Sequence, residues 1–399
     1  MPRVASQTER ARGKSAGLTL VFVGPDPKSK HIAHAGGQLT ATSGFAAFAA
    51  EQGLQVAWVD TAQSNFPVPP VRQRITRSAG RLRAFTRLIA SPQTEGAVLF
   101  ASGGLSFVER GLMALIARVR AKPTLLMIRS GHFRTQYGSS ALMRTLTRLL
   151  LKVPTVIGAQ GESWVPFLER AGVERSRIAV IPNWLSHPPY NPHVRTLASG
   201  ERLRVLFAGW MTASKGVPEL IDALRQLPEN FDVILTMAGG GTLLDQAKAA
   251  AKEPNLRGKL IIAGWQDRDA LASLFDEAHL LVLPSHAEGF PNVVMEALAE
   301  GLPVIATAVG AVPDSIHDGV NGAIVPIADA TAIAEAIRHY REHPENVKTQ
   351  SRAALEIAKA RHGRDTNCCA LLAALFPAPE VTSGDCAGKR PTQSRGIVG

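Results

Sequence analysis

The chain has 399 residues, 45% of them apolar and 19% charged, and carries a net charge of +11. That length suits two domains, each able to bury its own core, and the composition excludes a fibrous or wholly disordered chain. Its three cysteines (Cys368, Cys369 and Cys386) exclude a disulfide framework and zinc-ligand pairs, and no apolar run reaches the ~18 residues that a membrane span requires.

A reduced, cytoplasmic setting is therefore expected. Residues 1–16 are basic without a signal peptide's apolar centre and are expected to be a disordered leader. The charge is unevenly spread. Residues 1–200 hold 25 Lys and Arg against 9 Asp and Glu, whereas the remainder holds 19 against 24. The first half is expected to face something anionic.

In chain order, short Val-, Ile- and Leu-rich runs alternate with amphipathic stretches. "LTLVFVG" (18–24) leads into Gly36-Gly37 and a helical pattern. "LQVAWVD" (54–60), "AVLFAS" (97–102), "TLLMIRS" (124–130), "PTVIGAQ" (154–160) and "RIAVIPN" (177–183) follow. Such runs are expected to be buried parallel strands of a doubly wound domain over 17–190. Residues 184–202 are Pro-rich and aperiodic, and a linker is placed at 191–202. The alternation then restarts with "LRVLFAG", "FDVILTMAG", "GKLIIAG", "AHLLVLPS", "LPVIAT" and "NGAIVP", a second domain over 203–355. A helix around 356–376 is expected to pack back on the first domain, and 379–399 to be a disordered tail. The fold class is thus α/β, two Rossmann-like domains facing each other across a cleft, which is the default ligand site.

Residues 283–316, "LPSHAEGFPNVVMEALAEGLPVIATAVGAVPDSI", concentrate the chemistry. A strand ends, Gly289 and Pro291 break the chain, and a helix begins with Pro291 at its first position and Gly301 at its end. A helix that opens at a strand's carboxyl end presents N–H groups to a phosphate. Glu288 and Glu296 bracket that turn, and carboxylates there suit sugar and ribose hydroxyls. The spacing alone equally fits two surface glutamates on a capped helix. In "FAGWMTASKGVPELIDAL" (207–224), Lys215 precedes Gly216 at a strand–helix junction, either a phosphate site or a solvated loop lysine. "MAGGGTLLDQ" (237–246) is a further glycine-rich junction.

Together and in this order, these segments resemble the family 4 retaining glycosyltransferases of the GT-B type, the glycosyl transferases group 1. The resemblance covers most of the second half. It implies a nucleotide-diphosphate-sugar donor, with Glu288 at the donor sugar and Glu296 at the ribose. Gly289, Phe290, Pro291, Asn292 and Val293 would lie at sugar and diphosphate, and Gly209, Trp210 and Lys215 beside the leaving group. Pro291, lacking an N–H, contributes shape alone. One residue departs from the pattern: Trp210 stands where the family usually has Arg, which leaves the diphosphate one cation short. The first half resembles the family more loosely. Gly37 corresponds to the glycine loop and His132, in "IRSGHFRTQYGSS", to a cleft histidine; a loop histidine without a ligand fits that stretch as well. Arg129 and Arg134 flank His132 and are available as the missing cation, and Asn183 suits a turn.

The sequence is read as holding no Asp-x-Asp between apolar strands, the mark of the metal-using GT-A group, so transfer is expected to need no metal or other cofactor. The implied function is transfer of a sugar with retention to a glycan or lipid-linked acceptor, in cell-surface polysaccharide or glycolipid synthesis. A non-catalytic sugar-nucleotide or glycan-binding module is the alternative. A dinucleotide oxidoreductase lacks its G-x-G-x-x-G here, and nothing suggests a pyridoxal phosphorylase. Residues 71–90 carry six arginines and no acid, and 140–153 set Arg144, Arg148 and Lys152 beside leucines. Both read either as helices lying on an anionic membrane or as solvated basic faces packed on a sheet, with Gly80 expected to interrupt the first. Neither shows the aromatic platform of a nucleic-acid binder. A cytoplasmic enzyme, peripheral on the inner face of the membrane, is the expectation.

Overall fold

Each apolar run becomes a parallel strand in the computed structural model, which describes residues 19–29, 37–62 and 70–377. The expected leader 1–16, Gly36 and the expected tail 379–399 lie outside the described residues. The first sheet contains β1 (Thr19–Gly24), β2 (Gln55–Asp60), β3 (Thr94–Ala101), β4 (Thr124–Ile128), β5 (Val156–Ala159) and β6 (Ile178–Val180), in the order β2-β1-β3-β4-β5-β6. The second contains β7 (Leu203–Ala208), β8 (Val233–Ala238), β9 (Leu260–Gly264), β10 (Leu280–Leu283), β11 (Val304–Thr307) and β12 (Gly322–Val325), in the order β12-β11-β10-β7-β8-β9. β4, β10 and β11 are buried along their whole length. That explains their unbroken apolar runs: helices cover both faces, so no residue alternates towards water.

The stretch 184–202 has no helix or strand, yet it is firmly held. The amides of Tyr190 and Asn191 donate to the Glu300 carboxylate at 2.6 and 3.1 Å. The Arg195 guanidinium, 3% exposed, donates to the Glu300 carbonyl at 2.8 Å and to the Asp276 carbonyl. Its backbone groups find partners in side chains of the second domain, so the lack of periodicity does not mean slack.

Beyond β12, two helices occupy the end of the described chain. Helix Glu345–Arg361 lies against the second domain's helix Asn292–Ala299, and Gly363 separates it from helix Arg364–Leu375. The latter returns to the first sheet, where Cys368, Leu371 and Leu375 share a core with Phe22, Phe45, Phe100 and Trp184. Helix Val71–Ile89 runs straight through Gly80. Burial of Phe85 and Ile89 at its C-terminal end outweighs the roughly 1 kcal/mol that a helical glycine costs.

Candidate functional site

The strand order of the second sheet changes direction between β10 and β7. At such a switch point the following loops leave in opposite directions and open a crevice. The loop after β7 carries Lys215 and the loop after β10 carries Glu288, and their side chains meet there, Nζ to Oε1 2.5 Å. Gly216 fixes the lysine's place. It sits at φ +71°, and a Cβ would fall 2.1 Å from the Pro284 carbonyl oxygen, so only glycine allows the β7 loop to press on the β10 loop. The sequence reading put Glu288 on the loop at the cleft, exposed there. Its side chain is instead 12% exposed and ion-paired, because the lysine lies over it.

The helix after the turn runs Asn292–Ala299, with Pro291 as the residue before its first turn rather than inside it. Glu296, its fifth residue, reaches the cavity from the helix side. Its carboxyl is pushed up to about 7, first by burial and then by the neighbouring Glu300 carboxylate. Between about pH 4.5 and 7 Glu296 therefore keeps in the folded protein a proton that it gives up in the unfolded chain, so its own contribution to stability falls as pH rises through that window. Glu296→Gln should raise the melting temperature of the ligand-free protein at pH 8 and leave it unchanged near pH 4. It should also weaken binding of a nucleoside diphosphate whose ribose hydroxyls would donate to the carboxylate. Melting curves of both proteins across pH check this; a difference between variant and wild type that does not grow from pH 4.5 to 8 would contradict it.

The opposite wall comes from the first sheet. Arg129 and Gln160 follow β4 and β5 directly and line the same cavity of about 590 Å³, a usual size for a small-molecule site. Gly37, expected in a glycine loop, is instead the first residue of helix Gly37–Glu51, and its carbonyl accepts from Asn292 Nδ2 at 2.8 Å. Asn292 Oδ1 accepts from Asn183 Nδ2 at 3.0 Å, and Asn183 Oδ1 from Gln160 Nε2 at 2.8 Å. Asn183, read from sequence as a turn residue, is thus the centre of a hydrogen-bond chain that ties the two halves. Trp164 Nε1 donates to the Gly289 carbonyl at 3.1 Å and Ser163 Oγ to Asp314 at 2.8 Å, which close the same seam. A Cβ at Gly289 would lie 2.3 Å from Gln160 Oε1 and 3.1 Å from the Arg129 backbone, so a larger residue there would push the Gln160 side chain aside.

Of the residues singled out in the sequence, Gly37, Gly209, Trp210, Lys215, Glu288, Gly289, Phe290, Pro291, Asn292, Val293 and Glu296 all line the cavity. His132 does not. It is exposed, the first residue of helix His132–Gly138, and lies outside the lining. The preceding Gly131 is the residue that packs against the Glu288 backbone, where a Cβ would lie 2.3 Å from the Glu288 nitrogen. The ring of Phe290 stacks on His362 at 5.1 Å, so it shapes the wall rather than offering itself to a ligand.

Trp210 meets Trp265 edge to face at 4.8 Å, and both line the cavity beyond β7 and β9. After β9 comes Asp267-Arg268-Asp269, which does have Asp-x-Asp spacing between apolar strands. Asp267 caps helix Arg268–Glu277, its Oδ1 accepting from the Ala270 amide at 2.9 Å. Among the described residues no cluster of three His, Cys, Asp or Glu could hold a metal. Gln160, His187, Tyr190 and Trp265 line the cavity without having been singled out. Gln160 and Trp265 had a signal available, as the first polar or aromatic residues after strand ends. His187 and Tyr190 sit in the aperiodic stretch and gave none.

Residues 193–357 match the family model of glycosyl transferases group 1. The matched segment makes up most of the second half of this chain. It contains Lys215, Glu288 and Glu296. The D-inositol 3-phosphate glycosyltransferase of Xylanimonas cellulosilytica is 31% identical over 180 residues, 42% of this chain and 43% of that protein. The amylovoran biosynthesis glycosyltransferase AmsK of Erwinia amylovora is 30% identical over 178 residues, 43% and 44%. The chain thus spans less than half the length of these curated relatives. Whole-chain likeness comes from solved structures. Sucrose-phosphate synthase from Thermosynechococcus elongatus has TM-score 0.71 at 19% identity, covering 89% of this chain and 97% of that one. Anabaena HepE in complex with UDP-glucose has 0.64 at 17%, covering 90% and 100%. The fold is GT-B, two parallel α/β sheets facing each other.

Proposed function

We propose that the chain is a retaining glycosyltransferase that moves a sugar from a nucleotide-diphosphate sugar to a glycan or lipid-linked acceptor, in polysaccharide or glycolipid synthesis. The Lys215–Glu288 pair at the β7/β10 switch point carries this reading. A cation and a carboxylate held side by side in a cleft suit the two ends of the bond that breaks: the ammonium for the departing diphosphate, the carboxylate for hydroxyls of the donor sugar. Glu296, which lines the same cavity, would take the ribose hydroxyls, and a sugar nucleotide such as the one bound by the HepE neighbour fits the role of donor. No metal or other cofactor enters this scheme. Retention is what the family likeness implies. The test is nuclear magnetic resonance of the product: an anomeric configuration equal to the donor's is expected, and an inverted one would overturn the retaining mechanism.

The acceptor's location is read from the first domain's surface, and we propose an anionic membrane. Among the described residues, helices Val71–Ile89, Leu105–Val119 and Ala141–Leu151 lie side by side. They expose Leu112, Leu115, Val119 (77%), Leu142 (76%) and Leu149 (58%), with Ile75 nearby. Arg72, Arg77, Arg83, Arg87, Arg118 and Arg148 are exposed on the same helices. Their single acid, Glu109, is buried and held by Arg81 and Arg110 at 2.7 and 3.0 Å, so no exposed carboxylate interrupts the face. Apolar side chains in a field of cations suit a lipid surface, with about 1 kcal/mol of attraction for each cation near anionic headgroups. No described helix is long and apolar enough to cross a membrane. Cosedimentation with anionic vesicles at low salt should therefore fade as salt rises, and should weaken in a Val119→Ser/Leu142→Ser/Leu149→Ser variant of unchanged melting temperature. Equal indifference to anionic and neutral vesicles would favour a soluble acceptor and a cytoplasmic enzyme.

A further inference from the structure

One buried titratable side chain takes no part in the chemistry above. His362 lies where the chain leaves the second domain, between helices Glu345–Arg361 and Arg364–Leu375, beyond the segment that matches the family model. It is 1% exposed, and both ring nitrogens have partners: Nδ1 stands 2.8 Å from the Asn183 carbonyl and Nε2 3.0 Å from Ser315 Oγ. A carbonyl can only accept, so Nδ1 carries the proton, and in the neutral ring Nε2 then accepts from the serine hydroxyl. Burial pulls the pKa down to about 4, with the Asn183 hydrogen bond opposing the fall and the Arg361 guanidinium adding to it. The ring is therefore neutral at neutral pH, and both hydrogen bonds stand.

The groups that His362 touches converge on one turn. Its ring stacks on Phe290 at 5.1 Å, and Phe290 stands between Glu288, the partner of Lys215, and Asn292. Asn183, whose carbonyl holds Nδ1, points its own Nδ2 at the Phe290 carbonyl at 3.2 Å and at Asn292 Oδ1 at 3.0 Å. Phe290 is thus gripped twice, on its ring directly and on its carbonyl through Asn183. Ser315, at the other end of the imidazole, follows Asp314, which accepts from Ser163 across the seam. A phenylalanine at 362 would supply the stack alone. A ring with a donor at one edge and an acceptor at the other also has its rotation fixed, and a fully satisfied buried network of this kind holds one arrangement.

We propose that His362 is a positioning residue for the turn Glu288–Asn292, setting from behind where Glu288 stands against Lys215. Its side chain does not line the cavity, so it acts through the turn and touches no substrate. The hold on the turn is a property of the ligand-free protein, whereas its consequence for turnover rests on the transferase reading. Reacting groups are sensitive to such a hold, because a displacement of about 1 Å can cost about 10²-fold in rate.

The experiment uses His362→Phe, which keeps a ring on Phe290 and removes both hydrogen bonds. Two protons report on the turn, because the Trp164 indole and the Ala311 amide both donate to the Gly289 carbonyl, at 3.1 and 2.9 Å. Their exchange in the ligand-free protein, followed by nuclear magnetic resonance, should quicken by about tenfold or more, a local opening. The Leu281 amide, which donates to the Pro303 carbonyl in the second sheet, should exchange as in wild type. In parallel, kcat measured well below the melting temperature should fall by about 10- to 100-fold. In a Glu288→Gln background the same substitution should cost less than about threefold, since effects that act through one residue do not add. Unchanged exchange at the two reporters would overturn the hold on the turn. Faster exchange with a wild-type kcat, or an equal loss of kcat in both backgrounds, would overturn the positioning role. If the phenylalanine variant does not fold, His362→Asn serves instead, keeping a donor for the Asn183 carbonyl while giving up the stack. Faster exchange at the same two reporters is then expected, and wild-type exchange would overturn the proposal. A wild-type protein that turns over no sugar nucleotide, beside a variant whose reporters exchange faster, would sink the transferase reading and leave the hold of His362 on the turn standing.

Discussion

Glu288→Gln lowers sugar transfer by about 10³-fold, on the scale of losing one preorganised polar group at a reacting centre, while the melting temperature moves by no more than about 3 °C. Glutamine keeps the shape and an acceptor oxygen but removes the charge that holds Lys215 Nζ at 2.5 Å. The lysine side chain is 24% exposed and regains water when its partner is neutral, so the fold loses little. Steady-state kinetics with the true donor, beside a melting curve, checks both halves of this expectation. Turnover at the wild-type rate would remove Glu288 from the reaction.

Lys215→Ala costs about 10²- to 10³-fold in kcat, because the ammonium acts on charge that develops as the diphosphate leaves. Nucleoside diphosphate binding should weaken by less than kcat falls. Since Lys215 and Glu288 touch, the two substitutions should not add: the double variant is expected to be only slightly worse than the poorer single one. Full additivity in kcat would mean that the pair seen in the ligand-free protein has no part in arranging the site.

Much of the fold was legible because its strands are buried on both faces, and a continuous apolar run between glycine-rich turns marks that situation directly. "LLVL" of β10 and "VIAT" of β11 are wholly buried. The second-domain site was legible for a related reason: its groups lie within a few residues of strand ends, so Lys215 and Glu288 were found as punctuation. What escaped depends on chain partners far apart. Asn183 joins Gln160, Asn292 and, through Asn292, Gly37, and no local pattern encodes such a chain. His132 was drawn to the cleft by its neighbourhood, whereas Gly131 is the residue that fits there, since only a residue without a side chain passes the Glu288 backbone. The ion pair that covers Glu288 was not legible, because it exists only once β7 and β10 stand side by side. Gly80 misled in the opposite direction, because two buried residues at the C-terminal end of helix Val71–Ile89 decide its continuity.

Release of nucleoside diphosphate from a panel of sugar nucleotides, with and without a glycolipid extract as acceptor, tests the central claim most directly. The account predicts that one sugar nucleotide is consumed by the wild-type protein, faster with the extract, and that Glu288→Gln and Lys215→Ala both abolish the acceptor-dependent part. Tight binding of a nucleoside diphosphate with no release from any sugar nucleotide would contradict it, and would leave the chain a GT-B module that binds its ligand without transferring a sugar.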